Sequence, residues 1–297
     1  MQNFLYRLVL FSLILFLIRC SFNDRQVISL KRFGDSTITV TEMASKELVF
    51  MREATMEMNL IRLQIAGVVD GEPDYNDLDE SFDVKDVAIR LKSLEVLNSY
   101  AKLLLAFSDE ATKKKLQTSS QEFVDSLRSV SQNYKQLDTS KLNALGEAVY
   151  ILSGLFSDFK RKEAIKTILQ NSRVLIDTLC DLLEGDFDYK KDGKLASQYL
   201  LTTDRLLVSA DEYYYSSDSN KLKALKAIEM AMQHKTRRET ILLQISKSIK
   251  DIKKANSDLY NAFLQGGTST EDLGNFVNTI ITLRETHKLL KQGIRNK

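Results

Sequence analysis

A chain of 297 residues, 43% hydrophobic and 28% charged, is long enough to bury a sizeable core and too apolar to be disordered. Its formal net charge of +2 excludes the strong positive field with which nucleic-acid-binding proteins gather their ligand. One proline, Pro73, and 11 glycines leave helix interiors almost without breakers, which points to long helices.

The N-terminus comes first. Residues 1–7 carry Arg7, and Leu8 to Ile18 (LVLFSLILFLI) form an apolar run interrupted only by Ser12. Eleven helical residues reach about 16 Å, short of the roughly 30 Å hydrocarbon layer, which suits the apolar part of a signal peptide better than a spanning helix. Leu17-Ile18-Arg19-Cys20 follows, resembling a bacterial lipoprotein signal in which an aliphatic residue stands three before the lipidated cysteine. Arg19 departs from that pattern, since a small residue normally precedes the cysteine. Three readings stay open: a lipoprotein anchored through Cys20, an uncleaved anchor, and conventional secretion. All three place residues 1–20 as a signal or membrane anchor of an exported, envelope-located protein.

Residues 21–40 read as a linker and 41–297 as a single helical-bundle domain. Helix A is expected from about Thr41 to Ala66, ended by Gly67, with Met43, Met51, Met56 and Met58 as core gap-fillers or an adaptable surface. Residues 67–83 form an acidic loop with seven carboxylates and the only proline. Counting Asp70 as its first position, a calcium-binding EF-hand would need glycine at position 6, where Tyr75 stands, and glutamate at position 12, where Ser81 stands. Helix B, 84–107, has a seam of Val84, Val87, Leu91, Leu94, Asn98, Ala101 and Leu105 at alternating steps of three and four. Helix C, 109–137, starts behind Ser108 as N-cap and carries Leu116, Phe123, Leu127, Val130, Tyr134 and Leu137. The short break predicts that B and C pair antiparallel.

Helix D, from about 139 to Glu184 with Gly185 behind it, has a stripe of Leu145, Val149, Leu152, Phe156 and Phe159, then Ile165, Leu169, Ser172, Ile176, Leu179 and Leu183, with Cys180 a packed thiol beside it. Helix E begins at Leu195 and fades at Ser216-Ser217-Asp218-Ser219; within it Tyr213-Tyr214-Tyr215 cannot all share a face, so at least one ring is exposed. Helix F, 220–265, ends in the cleanest seam, Leu242, Ile245, Ile249, Ile252, Asn256, Leu259 and Phe263, where Asn256 suits a register-setting position. Thr268-x-x-Glu271 is a capping box opening helix G, whose face holds Phe276, Ile280, Leu283, His287, Leu290 and Ile294. Only Ile38–Val40 hints at strand alternation. The fold class is all-α, an elongated bundle of about six or seven long helices with coiled-coil-like packing.

Chemistry is thin. Neither His234 nor His287 has a glutamate three residues before it, no zinc spacing or H-E-x-x-H occurs, and no phosphate-binding glycine loop or serine elbow is present. No catalytic, cofactor or metal residue is nominated, and Cys20 is the one modification candidate. Charge is unevenly spread: residues 191–297 hold 18 Lys/Arg against 12 Asp/Glu. Basic clusters at Lys113–Lys115, Lys160–Lys162, Lys235 with Arg237 and Arg238, and Lys253–Lys254 read as hydrated faces or as contacts with anionic headgroups.

DVAIRLKSLEVLNSYAKLL (86–104), KLNALGEAV (141–149), FKRKEAIKTIL (159–169) and LCDLLEGD (179–186) together resemble a loose group of uncharacterised, signal-bearing, all-helical lipoproteins of Gram-negative bacteria. The resemblance spans roughly residues 84–186 and rests on packing patterns. It implies an envelope setting and a helical fold, and no activity or site residue. The expected function is a membrane-tethered structural or protein-interaction bundle, held to the membrane by its N-terminus and meeting an envelope partner or an anionic lipid surface. The alternatives are a membrane-active or lipid-binding protein, and an enzyme with a site that leaves no motif.

Overall fold

A computed structural model describes residues 24–66, 78, 82–108, 113–131, 158–216, 221–264 and 271–295. Every element within them is helical: α1 Asp24–Ala66, α2 Val84–Ser108, α3 Lys113–Ser131, α4 Asp158–Phe187, α5 Leu195–Ser216, α6 Lys221–Arg237, α7 Leu243–Leu264 and α8 Glu271–Arg295. A π-helical turn, Arg238–Leu242, joins α6 to α7, so these two are one continuous rod and the bundle has seven rods among the described residues.

The long first helix organises the rest. At 43 residues α1 extends about 65 Å, and α2, α5, α6, α7 and α8 all pack along it. The linker expected at 21–40 is corrected here: Asp24 onward is helix. Gly34 and the β-branched run Thr37-Ile38-Thr39-Val40-Thr41 argue against helix locally, but tertiary burial overrides them. Leu30, Phe33, Thr37, Val40 and Ala44 are all inaccessible to solvent at steps of three and four. The Thr39 and Thr41 hydroxyls donate to the carbonyls of Asp35 and Thr37 one turn back, so these two side chains find acceptors inside the helix.

At Gly34 α1 and α2 approach closely. A Cβ there would lie 3.1 Å from the Ala101 carbonyl oxygen and 3.1 Å from Leu105 Cβ. Asn98 Nδ2 donates to Thr41 Oγ1 across the same interface at 2.8 Å.

Spacing assigns helix B one seam, whereas α2 is buried on several sides because α1, α3 and α4 surround it. Val84, placed in that seam, is 57% exposed, while Val96, Leu97, Leu103 and Leu104 outside it are fully buried. α3 does pair antiparallel with α2, and Ser99 and Ser126 share a 2.6 Å hydrogen bond between them. The Ser108 hydroxyl donates to the Leu105 carbonyl at the end of α2, and the residues it is expected to cap lie outside the described ones. Tyr100 fills the centre, edge-on to Phe33 at 6.1 Å and tilted on Phe123 at 5.6 Å. Its hydroxyl donates to Asn256 Oδ1 at 2.7 Å, which gives the polar seam residue of α7 a specific partner.

α4 and α7 run antiparallel, joined by Ser246 to the Glu184 carbonyl, Lys253 to Asp181, and Arg173 stacked 4.6 Å over Tyr260. Their predicted stripes are buried throughout, from Ile165 to Leu183 and from Leu242 to Phe263. Gly185 does not stop α4, which continues to Phe187 and buries Asp186 against Arg90 Nε of α2 at 2.9 Å. The chain then reverses through Gly193, whose φ of +71° lies in the left-handed region that glycine tolerates. Met51 and Met58 are fully buried, as gap-fillers. Cys20, most of the acidic loop at 67–83, the first half of helix D and Thr268 lie outside the described residues.

Candidate functional site: a hairpin pinned inside and apolar outside

α5 and α6 form an antiparallel hairpin whose main support beyond itself is the C-terminal half of α1. Its inner face meets α1 in a buried polar cluster. Glu47 of α1 is 3% exposed and accepts two bonds from Arg237, at 2.8 Å from Nε and 2.6 Å from Nη2. The same guanidinium lies 3.9 Å over the Phe50 ring. Phe50 also faces the His234 imidazole, ring centres 5.7 Å apart. His234 Nδ1 and the Tyr199 hydroxyl of α5 share a 2.6 Å hydrogen bond. One turn along α5, Thr203 bonds to Met58 Sδ of α1.

The electrostatics follow from burial. Desolvation, aided by the neighbouring Arg237 charge, pushes the His234 imidazole down to about 4, so it is neutral at physiological pH. Burial works against the Arg237 charge, yet the hydrogen bonds and charge of Glu47 outweigh it and raise the guanidinium above its ordinary value. A fork-to-fork pair of this geometry is a strong positional device. The cluster holds a hairpin to a long helix.

The π turn begins directly after Arg237. There the rod stops packing on α5 and begins packing on α4 and α8. Inserting a wider turn changes the direction of a helix face without breaking the rod, which lets one continuous helix serve both halves of the bundle.

The outer face is built the other way round. α6 buries Ala224, Ala227, Ala231 and His234, while Leu222, Leu225 and Met232 are 68%, 49% and 50% exposed. At 100° per residue those three project away from the alanine face. On α5, Leu201, Val208 and Tyr215 recur every seven residues, opposite its buried face, and all are exposed. Thus one hairpin bears six of the large exposed apolar side chains. Between them stand Asp204, Arg205, Asp211 and Glu212 on α5, and Lys221, Lys223, Lys226 and Glu229 on α6, all exposed.

Other candidates from the sequence resolve more simply. The tyrosine triplet behaves as its spacing requires: Tyr215 is 79% exposed and edge-on to Tyr214 at 5.4 Å. Cys180 is a buried free thiol whose burial pushes its pKa up, the state of a packed side chain. Lys253 and Lys254 are ion-paired to Asp181 and Asp251. Arg237, read as part of a basic cluster, belongs to the buried pair with Glu47. His287 of α8 is half-buried. Among the described residues no group of three or more His, Cys, Asp or Glu side chains gathers as a metal ion needs, and no helix is long and apolar enough to cross a membrane.

The missed residues left a faint signal. His234 continues the seven-residue spacing that runs from Ala227 to Ile241, so it sits on a buried face where a polar residue needs a partner. That the partners are Tyr199 and, three residues on, Glu47 with Arg237 is a long-range fact that no spacing carries. Comparison with family models, with curated proteins and with solved structures returns no match. The resemblance over residues 84–186 therefore rests on its packing patterns alone.

Proposed function

We propose that this chain is a membrane-tethered helical-bundle protein of a bacterial envelope that works by contact and not by catalysis, with the α5–α6 hairpin as its contact element. The observation that carries this reading is the inverted α6, which turns alanines inward and leucines outward. Exposed apolar side chains are ordinary when scattered, but six on one hairpin form the kind of surface that marks an interaction site. The Glu47–Arg237 pair supports the same reading, because it holds the hairpin in place while leaving its outer face open. The apolar run ending at Cys20 supports the tether.

Two experiments test the two halves. Metabolic labelling with palmitate is expected to mark the native chain and not Cys20→Ala; absence of label from the native chain removes the lipid tether. A photo-crosslinking residue at Val208 is expected to give adducts in intact envelopes, whereas one at Val174, exposed on α4, gives none. Equal adducts at both positions, or none at Val208, remove the hairpin as contact element.

A further inference from the structure

We infer that the outer face of α6 lies against an anionic lipid bilayer surface, a role that rests on the hairpin being the contact element and specifies what its second helix touches. α6 is a 17-residue helix, about 25 Å long. Leu222, Leu225 and Met232 project from it with Glu229 within their strip, Lys221 and Lys226 flank the strip on its two sides, and Lys223 is exposed on the flank nearer the alanine face. Long lysine stems can lie along an apolar boundary while the ammonium groups reach phosphates, and a leucine-and-lysine face of this kind seats in the headgroup region.

The charge pattern selects the occupant. α5 carries three exposed carboxylates and one exposed arginine among its apolar positions, a mixture that an anionic surface would repel; α6 carries three exposed lysines and one exposed glutamate. A second copy offering its own α6 would set lysines against lysines. The alanine inner face brings α6 close to α5 and leaves its larger side chains projecting outward as a ridge. A ridge of leucine and lysine fits a soft, continuous, negatively charged surface.

The protein contains no tryptophan, so one introduced indole reports its surroundings alone. In the full-length chain, Leu225→Trp is expected to emit at shorter wavelength with phosphatidylglycerol–phosphatidylcholine vesicles and to be quenched by brominated acyl chains. It is expected to stay unshifted with pure phosphatidylcholine. Val174→Trp on α4 is expected to stay unshifted with both. Replacing Lys221, Lys223 and Lys226 by glutamine is expected to weaken the response about fivefold per lysine, roughly a hundredfold together, and added salt to weaken it further. No shift, an equal shift with neutral vesicles, or an equal shift for Val174→Trp overturns the inference. A shift that grows with protein concentration without lipid also overturns it, in favour of self-association. Flotation of the Leu225→Trp chain with both kinds of vesicle while its indole emission stays unchanged overturns this inference and leaves the N-terminal tether standing.

Discussion

Glu47 and Arg237 form the pair on which the position of the hairpin depends. Removing one partner of a buried, doubly hydrogen-bonded pair leaves the other charge uncompensated, which costs about 3 to 5 kcal/mol, whereas exchanging both for apolar groups of similar volume is far milder. Glu47→Ala is therefore expected to lose about 3 kcal/mol in urea unfolding, and Glu47→Leu with Arg237→Met to recover most of it. A double variant as unstable as the sum of the singles would show that the two do not interact. His234 adds a pH dependence. The unfolded chain takes up the imidazole proton at the ordinary value of 6.5, and the folded protein only at about 4. Between those values the unfolded state binds more protons, so acidification favours unfolding across that window and the effect vanishes above it. The full span corresponds to about 3 kcal/mol. Stability measured from pH 7 to pH 4 is expected to fall more steeply in the native chain than in His234→Gln; parallel curves would place the titrating group elsewhere.

At the scale of elements, two glycines test the packing in opposite directions. Alanine in a helix interior gains up to about 1 kcal/mol over glycine where space is open. Gly274 in α8 has nothing within 4 Å of a built Cβ, so Gly274→Ala is expected to raise the unfolding midpoint. At Gly34 the same methyl meets a backbone carbonyl that cannot swing aside, so Gly34→Ala is expected to lower it by separating α1 from α2. The reverse order of the two midpoints would contradict the close approach of α1 and α2. Regular seams, such as Ile245 to Phe263 and Phe276 to Leu283, were legible because one face of each helix does one job. The start of α1 was not, since Gly34 and the Thr37–Thr41 run oppose helix until Phe276 and Tyr100 pack around Phe33. α2 was half legible: a helix enclosed by three neighbours has no single stripe for a spacing rule to find. The outward leucines of α6 drew no assignment from the sequence, because which side of a helix is buried is set by its neighbours and not by its own pattern.

At the scale of the molecule, the bundle has one side where α1, α2, α4, α7 and α8 bury their apolar faces against one another, and another where a hairpin packs Tyr199, Leu206 and its alanines into the same core, is fixed to α1 by polar contacts as well, and faces outward with leucine, valine and tyrosine. The continuous α6–π–α7 rod joins the two sides, so the hairpin is anchored in the main core by the chain itself as well as by Glu47. Such a design suits a protein that must present a surface in a fixed orientation. The most direct measurement is cysteine protection. Leu225→Cys and Val208→Cys, compared with Val174→Cys, would be treated with a membrane-impermeant maleimide in purified protein and in intact spheroplasts, and the modified residue located by mass spectrometry. Cys180 is buried and is expected to stay unmodified while the chain is folded. In the purified protein all three introduced cysteines are expected to react. In the cell envelope positions 225 and 208 are expected to be protected while 174 reacts, and equal reaction at all three positions in both settings would contradict the hairpin's role as the surface of contact.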